Sequence, residues 1–413
     1  MKIAVVGSGI GGLAAAWALA GPHEVALLEA APRAGGHVHT VDAGGGVAVD
    51  MGFIVHNRDN YPHFCALLAE LGVATRQTSM AFSVATDGIE WGSATLSSAF
   101  ADRRLLVDPR HWRFLVEVVR FLRAARRDLG SALVRDASVD DYLAARRVHA
   151  DVRARFVVPL AAALWSLAPD HCGAFPAETY LRFLDQHGML SATAPLPWRT
   201  IVGGSRAYVD AMLARLRARP GFTLEVATPV TAVHRDPTGV TLVADDRARR
   251  FDRVVLATHA DTALALLAEP SPAEARVLGA FRYSRNRTVL HTDRTFLPAN
   301  PRAHAAWNYV ADPDTARVAV TYSMTILQDL PDAPYLVTLN PRREPRGVLR
   351  EAWMAHPQLD RAALTAQVEL PGLGIGLRTA YAGAHFGFGF HEDGMRAGLG
   401  AAARTLADEA AAR

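Results

Sequence analysis

The run Lys2-Ile3-Ala4-Val5-Val6 ends in Gly7-Ser8-Gly9-Ile10-Gly11-Gly12, and that loop constrains the fold more than any other stretch. Gly7 permits a tight turn after a buried parallel strand. Gly9 lets the backbone approach a pyrophosphate, and Gly12 lets the following helix lie close to the strand. A helix from Leu13 to Ala20 then directs its N-terminal amides at the phosphates. His23-Glu24-Val25-Ala26-Leu27-Leu28-Glu29 reads as a second strand ending in an acid, where a ribose 2'-hydroxyl needs an acceptor. Glu29 therefore favours FAD or NAD over a dinucleotide carrying a 2'-phosphate. The order strand, loop, helix, strand, acid separates this segment from a glycine turn in an ordinary α/β unit.

At 413 residues the chain exceeds one compact core, so two domains are expected. The formal charge of +3 is small for this length. No basic run alternates with aromatics, so nucleic acid is not an expected partner. Cys65 and Cys172 are far apart, which indicates neither a disulfide framework nor a thiolate metal site. With the first strand beginning at residue 2 and no long uncharged apolar stretch, neither a signal peptide nor a spanning helix is expected. A reduced cytoplasmic setting fits. Lys2 is the only lysine; every other basic residue apart from histidine is arginine.

Three stretches read as dinucleotide-domain material: residues 1–75, 200–275 and 366–413. The second runs from Gly203-Gly204-Ser205 through Phe222-Thr223-Leu224-Glu225-Val226 and Val240-Thr241-Leu242-Val243. It closes with Arg253-Val254-Val255-Leu256-Ala257-Thr258, apolar on both faces as a central parallel strand should be. The third leads from Leu377 through Gly383 into an Ala-rich helix from Gly394 to Ala411. Residues 76–199 and 276–365 would form one substrate domain from two insertions. The expected class is α/β: a Rossmann-type FAD-binding domain with a discontinuous mixed α+β substrate domain.

Arg33 precedes the pair Gly35-Gly36 and then His37, placing a fixed charge and close-approach glycines beside a phosphate or ring. Val47-Ala48-Val49-Asp50-Met51-Gly52-Phe53 is a strand leading to an acid and another such glycine. Glu29, Arg33, Gly35, Gly36, Asp50, Gly52 and the Ala257-Thr258 strand end together resemble the superfamily of flavin-containing amine oxidases and phytoene desaturases. Within it, Gly35-Gly36-His37-Val38-His39-Thr40, Asp50-Met51-Gly52-Phe53-Ile54-Val55, Trp165-Ser166 and Gly389-Phe390-His391-Glu392-Asp393-Gly394 are similar to a bacterial family of FAD-binding oxidoreductases. Some relatives of that family are thought to act on fatty acyl chains.

The resemblance implies FAD as cofactor. Gly7, Ser8, Gly9 and Gly12 would hold the pyrophosphate and Glu29 the adenosine ribose. Arg33, Gly35 and Gly36 would hold the phosphate and ribityl region, with His37, Asp50, Gly52, Phe53, Ala257 and Thr258 beside them. Val230 matches the backbone position that meets adenine. Where the superfamily usually has Gly-Asp before the flavin helix, this chain has Gly383-Ala384, so Glu392 or Asp393 either replaces that contact or serves as a plain cap. Gly394 and Met395 would open the helix whose amides face the flavin. Amine-oxidising members generally place a lysine beside the flavin, and Lys2, at the far end of the first strand, cannot serve there.

Trp307, Tyr309, Tyr322, Met324 and His385 are the substrate-pocket candidates, with core packing as the plain alternative. His56, His187, His291, His385 and His391 lack metal-ligand spacing, so no metal is expected. On a helical wheel of residues 112–127, Arg113, Glu117, Arg120, Arg123 and Arg127 share one side. Trp112, Phe114, Leu115, Val118, Val119, Phe121 and Leu122 cover more than half the circumference. This helix either lies in a membrane interface, placing the protein at the inner face of the membrane, or is buried between two layers. The expected activity is FAD-dependent oxidation of a hydrophobic or lipid substrate, foremost desaturation of an acyl chain, free or phospholipid-bound. Double-bond isomerisation, amine oxidation and a non-catalytic flavin scaffold are the alternatives. Gly203-Gly204-Ser205 lacks a third glycine, so direct reduction by NADH is not expected, and oxygen, a quinone or a partner protein would reoxidise the flavin.

Overall fold

The computed structural model describes residues 1–86, 88–165, 169–186, 188–190, 196–311, 318–331 and 333–412. At its centre a 5-stranded parallel sheet runs in the order Phe222–Glu225, Glu24–Leu28, Lys2–Val6, Arg253–Leu256, Thr379–Tyr381. Val5 lies between Leu27 and Val255 in register. The residues facing either side explain why the central strands are apolar in their middle. Ile3, Val5, Val25, Leu27 and Val255 face a helical layer containing Leu13, Leu19, Met212 and Ala401. Ala4, Val6, Ala26, Leu28, Val254 and Leu256 face the opposite way, onto Val240, Leu242 and Phe251 of a 3-stranded antiparallel sheet. Both faces are covered, so the middle positions of the central strands are apolar, while Lys2, Glu24, Arg253 and Thr379 stand at strand ends.

The first helix, Ile10–Leu19, starts earlier than the sequence reading from Leu13, because Gly11 and Gly12 are themselves helical. Its backbone is in direct contact with its neighbours. A Cβ on Gly12 would lie 1.8 Å from the Gly7 carbonyl oxygen, and one on Gly398 would lie 2.1 Å from that of Gly11. Through these positions the first helix packs against the end of the first strand and along the C-terminal helix His391–Ala412.

The other large layer is a 7-stranded sheet ordered Val348–Gln358, Arg282–His291, Leu336–Leu339, Val318–Ser323, Trp307–Ala311, Phe82–Thr86, Ile89–Gly92. Strands from two distant parts of the chain meet where Phe82–Thr86 pairs parallel with Trp307–Ala311. Helices stack on this sheet through one core in which Phe114, Phe121, Tyr142, Tyr180 and Phe183 join Val84, Tyr309 and Val320. The chain leaves and re-enters the parallel-sheet half at neighbouring points. Thr75–Gln77 and Val55–His56 both pair antiparallel with Arg199–Ile201, and Arg199 Nε donates to Thr75 Oγ1 at 2.7 Å. Among the described residues no helix is long and apolar enough to cross a membrane.

Two neighbouring glycines are expected to behave oppositely. Gly12→Ala drives a methyl group into a backbone oxygen and should destabilise the fold by about 3 kcal/mol. Gly9 has φ −63° and nothing within 4 Å of an added Cβ, so Gly9→Ala should leave the melting temperature of the cofactor-free protein unchanged while weakening cofactor binding. Thermal denaturation with and without FAD checks both; equal melting temperatures for the two variants would contradict the packing account.

Candidate active site

The phosphate loop is held from below by the acid that ends the second strand. Ser8 N and Oγ both donate to Glu29 Oε2, at 2.8 and 2.6 Å, and Ala31 N donates to Oε1 at 2.9 Å. Oε1 keeps accepting capacity for a ribose hydroxyl. Ser8 Oγ also accepts from Gly35 N at 3.2 Å, tying the second glycine loop to the first. The first helix is capped by Gly9 with no side-chain hydrogen bond. Its opening amides are therefore unspent, at a cavity wall made of Gly7, Ser8, Gly9, Ile10 and Gly11.

That cavity, of about 490 Å³, collects most of the residues singled out from sequence. Gly7, Ser8, Gly9, Glu29, Gly35, Gly36, His37, Gly52, Phe53, Ala257, Thr258, Gly383, Ala384 and Gly394 line it, as do Trp307, Tyr322 and His385. The loops that carry Ala257 and Gly383 follow the C-terminal ends of adjacent parallel strands, where open α/β sheets place their ligands.

Other expected site residues do not line it, for identifiable reasons. Gly12 sits behind the loop as a packing contact. The Arg33 guanidinium donates to the carbonyls of Val38 and Gly36, at 2.7 and 3.0 Å, and so clamps its own loop. Asp50 is fully buried and accepts from Thr40 Oγ1, Ser205 N and Oγ, and Gln328 Nε2, joining the Gly204 turn to the strand that carries it. Val230 begins a strand of the 3-stranded sheet, outside the cavity lining. Met395 is packed in the helical core, Tyr309 in the core of the helical layer, and Met324 against Val49 and Val337.

Glu392 and Asp393 both act as caps. Glu392 accepts from His63 N and Phe64 N, each at 3.0 Å, and closes the start of the helix Pro62–Leu71. Asp393 accepts from Phe388 N and Phe390 N at 2.8 and 3.1 Å. Neither lines the cavity. Ser166 and His187 lie outside the described residues.

Histidines dominate the polar part of the wall. His37 Nε2 lies 2.9 Å from the Ala355 carbonyl, and burial, with His356 and His259 nearby, lowers its pKa to about 3. Burial, followed by His259, lowers His385 to about 3. His391 is stacked on Phe53 at 3.8 Å with Nε2 at 2.8 Å from the Tyr208 hydroxyl, and burial holds it well below its ordinary value. Burial also lowers His259 and His356. These rings are neutral at pH 7. His259 and His356 escaped the sequence reading. A signal existed for His259, which directly follows the strand end Ala257-Thr258; His356 is placed only by the long pairing of Arg282–His291 with Val348–Gln358. Among the described residues no group of His, Cys, Asp and Glu is placed to hold a metal ion.

A family model described as flavin containing amine oxidoreductase matches residues 10–325. The chain belongs to that family. It is an FAD-dependent oxidoreductase, and the residues fit the cofactor: an uncapped helix N-terminus, an open Cβ direction at Gly9, and a cavity continuous from the phosphate loop to Gly394. No curated protein matches the sequence significantly. Among solved structures, the fold is similar to cyclohexylamine oxidase from Brevibacterium oxydans IH-35A, with TM-score 0.72, 17% identity, and 100% of this chain and 99% of that one covered. It is also similar to a CLA-producing fatty acid isomerase from P. acnes, with TM-score 0.70, 17% identity, and 96% and 97% covered. A putrescine oxidase bound to putrescine gives TM-score 0.69 at 16% identity, with 98% and 99% covered.

Acid should loosen this site. His385 titrates at about 3 in the folded chain against 6.5 ordinarily, so between those values the unfolded chain binds the extra proton. Its contribution is complete above pH 6.5 and is lost as pH falls toward 3, at about 1.4 kcal/mol per pH unit. Asp50, which burial pushes up to about 6, acts in the opposite direction, so the effect is read as a difference. His385→Phe should flatten the fall in melting temperature between pH 6.5 and 4; an unchanged slope would contradict the assignment.

Proposed function

We propose that the protein oxidises a neutral hydrophobic substrate, with desaturation of a fatty acyl chain as the reaction. The observation that carries this reading is that, among the described residues, no charged side chain lines the substrate end of the cavity. Away from the phosphate loop the wall is built from residues such as Met80, Phe183, Trp307, Tyr322, Leu339 and Met354, and among the described lining residues Glu29 is the one acidic or basic residue, histidine aside. An ammonium or carboxylate brought there would lose its hydration without gaining a partner. The chain's only lysine, Lys2, lies over the Phe251 ring at 5.2 Å, outside the lining.

FAD, when bound, supplies the two-electron acceptor. The protein's part is to bind, orient and exclude water. Trp307 and Tyr322, packed edge-on with ring centroids 5.1 Å apart, give an apolar corner against which a methylene chain can lie. Phe390, stacked on Phe183 at 4.9 Å, closes another side of the cavity. Burial raises the Tyr322 hydroxyl well above its ordinary pKa, so it stays protonated beside the substrate. Isomerisation of a polyunsaturated chain makes the same demand on the cavity, and a protein named as a fatty acid isomerase shares the fold. Amine oxidation is less well served, because an alkylammonium ion must shed its proton before entering a wall with no acid.

Anaerobic addition of unsaturated phospholipids should bleach the flavin band near ~450 nm. Tyr322→Asp, which places a buried acid in the apolar wall, should slow that bleaching by at least about 100-fold while the flavin remains bound. Bleaching by primary amines alone, with lipids inert, would overturn the acyl reading.

A further inference from the structure

The helix Pro109–Asp128 has a buried side and an exposed apolar corner. Most of its apolar arc is interior: Phe114, Val118, Phe121 and Leu122 are buried in the core of the helical layer. The exposed apolar group lies instead at its N-terminal corner. Val107 is 84% exposed, Leu96 73% and Val116 55%, with Leu106 and Trp112 about half exposed. The corner is one surface. Trp112 Nε1 donates to the Leu106 carbonyl at 2.9 Å, the Trp112 ring packs on Phe100 at 4.6 Å, and Val116 follows Trp112 by one turn.

Its charges are one-sided. Asp102 is paired with Arg104 and Glu117 with Arg120, and Asp108 accepts from Arg110 N as the helix cap. Arg110, Arg113, Arg123, Arg126 and Arg127 form no ion pair with any described carboxylate. Arg123 and Arg127 continue the exposed face that carries Trp112 and Val116. Exposed Leu, Val and Trp side chains rimmed by uncompensated arginines match the interface of a bilayer with anionic headgroups: apolar tips enter the acyl boundary and guanidiniums meet phosphates.

We propose that this corner, residues 96–116 with the arginine face that follows it, docks the protein on an anionic lipid bilayer. The buried side of the same helix packs in the core that contains Phe183, with Trp307, Tyr322 and Phe390 partly buried against it. All of these also line the cavity, so the docking element is anchored to the substrate wall. Docking is inferred from the surface alone. A protein that binds vesicles but leaves acyl lipids unchanged would refute the acyl reading and keep this one.

The test is co-sedimentation of the FAD-loaded protein with vesicles of phosphatidylglycerol and phosphatidylcholine, beside vesicles of phosphatidylcholine alone. Binding is expected to the anionic vesicles and to fall with salt. The double variant Leu96→Glu, Val107→Glu alters two side chains that pack on little and should weaken binding by about tenfold or more with flavin content unchanged. Neutralising Arg113, Arg123 and Arg127 to Gln should weaken it by about fivefold each. Failure of the wild-type protein to sediment, or equal binding by the Glu variant, would overturn the proposal. So would sedimentation velocity showing a dimer that the Glu variant dissolves, which would make the corner a contact between two copies of this chain.

Discussion

The first helix can open onto a cofactor only because glycine allows its backbone to touch its neighbours. Gly12 sets it against the Gly7 carbonyl, and Gly398 sets the C-terminal helix against the Gly11 carbonyl. Those contacts fix the uncapped amides of the first turn at one end of the cavity and bring Gly394, at the start of the C-terminal helix, to its wall. Segments from the beginning and the end of the chain thereby form one continuous lining. A methyl group at either contact would separate them by more than a hydrogen bond tolerates.

Around that frame, the polar groups that the fold buries are mostly satisfied by one another. Glu29 holds Ser8 and Ala31, Asp50 holds Thr40 and Ser205, Glu392 holds the start of the helix Pro62–Leu71, and Asp393 holds the loop before its own helix. The acids near the cavity are thus spent on shaping it. Apart from Glu29 at the phosphate-loop end, what faces inward among the described residues are neutral imidazoles, hydroxyls, backbone amides and apolar side chains. Such a wall favours a neutral substrate and a redox reaction whose electron chemistry belongs to the cofactor, which is why no nucleophile with a paired base is needed.

The dinucleotide half was legible in the sequence because its constraints are local. A buried strand, a glycine turn and an acid at the next strand end lie within thirty or so residues of one another, at the scale of one βαβ unit. The same local reading does not show which groups a given side chain binds. Arg33 and Asp50 stand beside close-approach glycines, but their hydrogen bonds go to Val38, Gly36 and Ser205, which only the folded chain reveals. Met324 and Tyr309 have the composition of pocket residues and are core residues: Tyr309 shares a sheet face with Trp307 but lies two residues further along the strand, under the helical layer, and Met324 opens the short helix after the strand that carries Tyr322. His356 was invisible for the same reason, its place depending on a long antiparallel pairing.

The central claim is that this neutral cavity handles acyl chains, and the most direct measurement is the mass and double-bond position of acyl chains recovered after aerobic incubation with the purified holoprotein. The account predicts chains lighter by one H₂, with a new double bond. Chains of unchanged mass with a shifted double bond would assign isomerisation to the same cavity. Acyl chains unaltered in both respects, under conditions where an amine is consumed and peroxide released, would contradict the account.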